Sequence, residues 1–249
     1  MIEIKNVTKT YAGSAVHAVD HLNFEVKSGE IFGFLGPNGA GKSTTIKMMT
    51  GILTIDDGDI LMDGVSVKSA PLEAKRKIGF VSDDHAVYEK LTGREYLHFL
   101  ATVYRVSKEE EESRIADLAA RFGLTEALSD RISSYSHGMR QKIVVIGALI
   151  GNPKVWILDE PLTGLDPQSA YEMKQLIRAH AEAGNTVFFS SHVIDVVEKV
   201  CDRIGIIKKG KLIEVCTLDE LHDKIGDETL EQYFLRVTAE NGVEEEARS

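Results

Sequence analysis

Gly36, Gly41, Lys42 and Ser43 follow the spacing G-x-x-x-x-G-K-S, directly after the apolar run IFGFL. Glycines let a backbone wrap closely round phosphate oxygens. The amide N–H groups and the positive end of a following helix then face negative charge. In that arrangement Lys42 reaches the terminal phosphates of a nucleotide, and the Ser43 hydroxyl binds Mg²⁺. A second cluster lies far downstream, where VWILDE at 155–160 is an apolar run ending in two acids. A strand buried on both faces carries no charge until it emerges from the core. Beside a phosphate loop, Asp159 would hold Mg²⁺ through its water shell, and Glu160 would polarise an attacking water.

These groups need elements to carry them. MIEIKNV and LNFEV alternate like half-buried strands, and IFGFL is a short buried strand bounded by glycine. After Lys42 the pattern predicts a helix through TTIKMMTGIL (44–53), and LMDGVSV predicts a hairpin with Asp63-Gly64 at its turn. From about 84 to 152 the pattern is helical. Thr92 with Glu95 and Ser107 with Glu110 fit capping boxes. Ile115, Leu118, Ala119 and Phe122 share one helix face, with Gly123 as a stop. A further helix follows Ser136 and ends near Gly151-Asn152-Pro153. Strands return with VWIL (155–158) and TVFFSS (186–191), separated by a helix that Asp166-Pro167 opens and Gly184 closes. IGIIKKGKLIEV predicts a second hairpin.

The chain therefore divides into an α/β domain over 1–218, interrupted by the helical block at about 84–152, and a short acidic helical extension over 219–249. A frayed end is expected from Glu240 to Ser249. There is no internal repeat.

Composition narrows the function classes. The longest apolar stretch, Ile143 to Gly151, is less than half of the roughly 20 residues that cross a bilayer. The start, MIEIKNVTKTY, shows no basic region followed by an apolar block, so no signal peptide is expected. Net charge is −10, and ten acids against three bases from Asp219 onward account for most of it. No basic stripe of the kind that binds nucleic acid is present in the pattern. Cys201 and Cys216 have no metal-ligand spacing and read as buried, reduced thiols.

GPNGAGKST (36–44), YSHGMRQK (135–142), ILDEP (157–161), TGLD (163–166) and SSH (190–192) occur in the order of the ABC ATPases, which this chain resembles to about Val215. The YSHGM element makes the resemblance specific. It implies a P-loop NTPase, RecA-like core with an N-terminal antiparallel β subdomain and an inserted α-helical subdomain. It implies ATP and Mg²⁺ as ligands. Gly36, Pro37, Asn38, Gly39, Ala40, Gly41, Lys42, Ser43 and Thr44 would hold the phosphates, and Tyr11 would stack on adenine. Ser43, Asp83 and Asp159 would face the metal, with Glu160 and His192 as the catalytic pair. YSHGM is similar to the signature motif, so Ser136, His137, Gly138 and Met139 would contact ATP held by another subunit. Asp166 would link the two sites; capping the next helix is the alternative use for it, and the two are compatible.

Three positions depart from the common pattern: Asp83 stands where glutamine is usual, His137 where glycine is, and Met139 where glutamine is. The YS-x-GM form and the ending LEQYFLRVT (230–238) resemble ABC exporters of drugs, antibiotics and sodium. The resemblance implies an ATPase subunit working as a homodimer or heterodimer, attached to the inner face of the cell membrane through a separate permease. Residues 83–100, with Tyr88, Leu91 and Tyr96, would meet that partner; plain helix packing is the other reading of those three. The alternatives to transport are a soluble ABC ATPase acting in complex assembly and a binding-only module.

Overall fold

Apolar alternation in the first 26 residues and the buried runs further on resolve into two sheets. The computed structural model describes residues 1–84 and 87–239. Strands β1 (Ile2–Thr10) and β2 (His17–Val26) pair antiparallel. β3 (Ile31–Leu35) is buried throughout and leads through the glycine loop into helix α1 (Lys42–Met49). β4 (Asp57–Met62) and β5 (Val65–Ser66) form the expected hairpin, with Asp63 and Gly64 both at positive φ. β1, β2, β4 and β5 make one sheet in the order β2-β1-β4-β5.

α1 is shorter than its pattern suggests. It ends at Met49, and the N–H groups of Ile52 and Leu53 both return to the Lys47 carbonyl at 2.9 Å. Such bonds satisfy the last carbonyls of a helix and stop it, with Gly51 turning left-handed at φ 64°. A short helix without a distinct sequence signal, α2 (Pro71–Arg76), precedes β6 (Ile78–Val81).

The helical block contains α3 (Gly93–Val103), α4 (Lys108–Arg121) and α5 (His137–Leu149). Both expected capping boxes close, at Thr92/Glu95 and Ser107/Glu110. Tyr96 corrects one expectation. It is buried rather than on a contact surface, and Leu91 packs partly into the same core. Tyr88 is exposed, as are Phe99 and Val103 on α3.

After the block come β7 (Val155–Asp159), α6 (Pro167–Glu182), β8 (Thr186–Ser190), α7 (Ile194–Val200), β9 (Arg203–Lys208) and β10 (Lys211–Thr217). The second sheet runs β10-β9-β3-β8-β7-β6, parallel except for its β10 edge. α8 (Leu218–Ile225) and α9 (Leu230–Thr238) follow, and their Leu218, Leu221, Leu230 and Tyr233 are buried in the main core. The end expected to fray, 240–249, lies outside the described residues, as do residues 85 and 86 of the expected contact segment.

Period-two alternation divides the large sheet between two cores. Ile31, Leu35, Trp156, Leu158, Val187 and Phe189 face the helical side. Phe32, Phe34, Val155, Ile157 and Phe188 face α1 and the small sheet. Phe24 of the small sheet stacks on Phe32 and Phe34 at 5.3 and 5.7 Å, and Phe34 meets Phe188 at 5.3 Å. Each such pair contributes about 0.5–1.5 kcal/mol beyond burial. The two sheets are thereby held as one body behind the carboxyl edge of the parallel strands. No helix among the described residues is long and apolar enough to cross a membrane.

Candidate functional site

Strand order decides which loops meet. β3, β8, β7 and β6 lie side by side and parallel, so the segments leaving their carboxyl ends form one row. That row holds the glycine loop, Ser191-His192, Asp159-Glu160 and Asp83. Ligands of open α/β sheets bind at this edge. A cavity of about 520 Å³ opens there, and its lining includes Tyr11, Lys42, Ser43, Asp83, Asp159, Glu160 and His192. Pro37, Asn38, Gly39, Gly41 and Thr44 complete the loop side of its wall. Gly36 and Ala40 sit behind that wall against β9: a Cβ on Gly36 would lie 2.5 Å from the Ile207 carbonyl oxygen.

Gly41 is the N-cap of α1, at φ 113°, and no side chain makes a capping hydrogen bond there. The free N–H groups of the first turn therefore remain available to an anion. Lys42 Nζ donates to the Gly36 carbonyl and, at 3.3 Å, to that of Pro37. The side chain is thus curled back over its own loop. Burial lowers its pKa from the ordinary lysine value, opposed by the charges of Glu160 and Asp159. The hairpin turn between β9 and β10 braces the loop from behind, with Gly210 N–H donating to the Ala40 carbonyl at 2.8 Å.

Asp159 accepts a hydrogen bond from Ser190 Oγ at 2.6 Å. Burial raises its pKa, with repulsion from Asp83 and Glu160 adding to the rise; the Ser190 bond and Lys42 act against it. Three carboxylates and one lysine share this wall. Ser43, Asp83 and Asp159 offer oxygen only, which is the donor chemistry Mg²⁺ takes. No cluster of three or more His, Cys, Asp or Glu capable of closing round a metal exists among the described residues. The residues fit an ion whose remaining ligands come from phosphate and water.

Glu160 is held in the left-handed region at φ 50°, and its N–H donates to the Ser190 carbonyl at 3.1 Å. One carboxylate oxygen lies 2.7 Å from His192 Nδ1, and the other accepts from Ser191 Oγ at 3.1 Å. A non-glycine residue in that conformation costs of order 1–3 kcal/mol, which the surrounding bonds must offset. Tyr11 is 45% exposed, and its hydroxyl lies 3.2 Å from Thr44 Oγ1.

Ser136, His137, Gly138 and Met139 are elsewhere. None lines the cavity; Ser136 and His137 are exposed at the start of α5, where Ser136 Oγ caps the helix by accepting from Met139 N–H at 3.3 Å. Asp166 caps α6 through Ser169 N–H and Oγ at 2.9 and 2.6 Å, and pairs with Lys142 at 3.0 Å. These bonds hold its carboxyl well below the usual carboxylate range, the Ser169 hydroxyl contributing most. Sequence reasoning assigned no site role to Ala18 and Thr163 of the lining, to Ser190 and Ser191, or to Gln141. The two serines sit inside SSH, where their offset from the strand end was the available signal. Ala18 carries none.

The family model for ABC transporters matches residues 19–163. The linearmycin resistance ATP-binding protein LnrL of Bacillus subtilis is 39% identical over 93% of this chain and 74% of its own length. A solved ATP-binding subunit of an ABC transporter superposes with a TM-score of 0.91 at 29% identity, over 96% of this chain and 99% of that one. A dimeric ATP-binding cassette in a post-hydrolysis state, bound to ADP and Pi, superposes with a TM-score of 0.79 at 28% identity, over 88% and 99% of the two chains.

Proposed function

This chain belongs to the ATP-binding proteins of ABC transporters, where it binds and hydrolyses ATP, and from that premise we propose that it drives export through a separate permease. Two cassettes close head to tail over two nucleotides, the second being another copy or a paralogue. The observation that carries this reading is the division of residues: Lys42, Asp159, Glu160 and His192 share one cavity, while Ser136 opens a helix outside it. A lone chain leaves the outer side of that cavity uncovered, and the helix end at Ser136 supplies the donors and positive dipole that suit a triphosphate tail.

In the proposed cycle Tyr11 stacks on the base, and the amides of the loop take the phosphates. Lys42 exchanges its bonds to Gly36 and Pro37 for the terminal phosphate. Glu160 accepts a proton from the water that attacks the γ-phosphorus, as the bond to the ADP oxygen breaks. His192 orients Glu160 through their 2.7 Å contact and meets the γ-phosphate. Ser43 and Asp159, with Asp83 alongside, would hold Mg²⁺, which when bound supplies charge neutralisation at the phosphates. Little covalent chemistry falls to the protein, so positioning and electrostatics account for the rate.

The exposed Tyr88, Phe99 and Val103, with Tyr88 and Phe99 ring centres 5.6 Å apart, support docking of the permease on this side of the helical block, at the inner face of the membrane. The resistance function in the name of the B. subtilis relative supports export as the direction. The test is recovery of the tagged chain from membranes. A multi-span protein should co-purify with it, and reconstituted vesicles should move cargo in step with ATP hydrolysis. Recovery from the cytosol alone, with no such partner, contradicts the proposal.

A further inference from the structure

The loop from Glu160 to Asp166 is weakly held by its own turns. Thr163 N–H reaches the Glu160 carbonyl at 3.3 Å, and Leu165 N–H reaches that of Leu162 at 3.4 Å. Two further ties come from α5. Gln141 is fully buried, and its Nε2 donates to the Pro161 carbonyl at 2.7 Å, one residue beyond Glu160. Lys142, next in the chain, pairs with Asp166 at the far end of the loop at 3.0 Å. Between these two ties a Cβ on Gly164 would lie 3.2 Å from the His137 ring. Two adjacent side chains of one helix therefore clasp both ends of the loop that begins at Glu160.

Gln141 is an unusual choice for packing alone. Its Oε1 has no partner among the described residues. A buried acceptor without a partner is unfavourable, but an apolar side chain of equal volume would leave the Pro161 carbonyl without its Gln141 donor. The amide donor is the part that acts on the loop.

We propose that Gln141 and Lys142 are positioning residues that lock the Glu160 loop to the helix end at Ser136, so that a chain's catalytic acid is set by the nucleotide its helix holds in the partner's site. This rests on the reading that Ser136 serves ATP bound by the other subunit. The coupling is then built into each chain: Ser136 engaged by the partner's phosphates fixes α5, and α5 fixes Pro161 and Asp166. A small misplacement of a catalytic group is enough to lower turnover strongly without altering substrate binding.

The experiment uses the full chain with Gln141→Met, Lys142→Met, Lys142→Arg and Ser136→Ala. Steady-state ATPase gives kcat and KM, and MgATP-dependent dimerisation is read in a Glu160→Gln background. Gln141→Met and Lys142→Met should each lower kcat by about tenfold, with KM and dimerisation within about twofold of the parent. Lys142→Arg, which keeps the ion pair to Asp166, should restore kcat. Unchanged kcat in both methionine variants, or a loss that Lys142→Arg shares together with weakened ATP affinity, overturns the proposal. Should Gln141→Met not fold, the Lys142 pair decides alone. Ser136→Ala separates the two levels. If it leaves dimerisation and turnover intact, the underlying reading fails; if it abolishes both while the methionine variants match the parent, only the coupling fails.

Discussion

Replacing Gly41 with alanine should damage both the fold and nucleotide binding, while the same change at Gly39 should leave the fold nearly intact. Both glycines have positive φ, 113° and 77°. Each alanine therefore meets a backbone penalty of about 1–2 kcal/mol. At Gly39 a Cβ has no atom within 4 Å. The stiffer unfolded chain offsets about 0.4–1 kcal/mol there, leaving a net loss of about 0–1.6 kcal/mol. At Gly41 the Cβ would sit 2.6 Å from the Ala18 carbonyl oxygen and 3.2 Å from Ile207 Cδ1. Overpacking of that kind adds about 1–3 kcal/mol, and the obstacle is backbone, so the end of α1 must move.

For a chain of this length 1 kcal/mol is about 2–4 °C in Tm. At the midpoints of these ranges, about 0.8 and 2.8 kcal/mol, Gly39→Ala should melt about 2–3 °C and Gly41→Ala about 6–11 °C below the parent. MgATP at about 100 times its Kd stabilises the parent by about 2.7 kcal/mol. Gly41→Ala should keep about half of that rise or less, because the displaced helix end binds phosphate at least tenfold more weakly. Thermal scans with and without MgATP measure both effects. Equal melting of the two variants, or a full MgATP rise in Gly41→Ala, would refute the reasoning.

Three further outcomes follow from the same geometry. Glu160→Gln keeps the shape of the side chain but removes the base, so turnover should fall by about 10²–10⁴-fold with ATP affinity retained; brisk hydrolysis by that variant contradicts the assignment. Tyr11→Ala should weaken ATP by about 1–3 kcal/mol while leaving inorganic triphosphate affinity unchanged, and Tyr11→Phe should bind ATP as the parent does; equal losses for both ligands would remove the base-stacking role. Burial pushes the His180 pKa down to about 4. Between that value and its ordinary value near 6.5 the unfolded chain binds a proton that the folded chain refuses, so stability is lost as pH falls through this window. The loss attributable to His180 at pH 5 is about 2 kcal/mol. Fluorescence of the single tryptophan, Trp156, whose ring lies 5.5 Å from that of His180, follows the unfolding. His180→Phe should flatten the pH 5–7 difference by that amount, and an unchanged difference contradicts the account.

Much of this architecture is written locally in the chain. IFGFL, VWIL and TVFFS are apolar on both faces, which only a central parallel strand satisfies, and all three lie adjacent in the large sheet. Thr92, Ser107 and Asp166 announce helix starts because a side-chain oxygen over free N–H groups has few other uses. The missed elements had weak local signals. α2 and α7 are six and seven residues long, too short to show a helical face. The end of α1 was overrun because Met49, Ile52 and Leu53 continue the apolar pattern past Gly51. At the site, spacing exposed most of the groups that line the cavity. It was silent on Gln141 and Ser190, whose roles depend on which carbonyl or carboxylate a distant strand brings alongside.

Sedimentation of the Glu160→Gln chain with and without MgATP tests the central claim most directly. Without nucleotide the species should weigh 27.5 kDa; with MgATP it should double in mass, and adding Ser136→Ala should return it to the single-chain mass. A dimer indifferent to Ser136 would contradict closure of one helix end over the other cassette's phosphates, and a chain that binds MgATP yet stays at the single-chain mass would contradict a pair of identical copies.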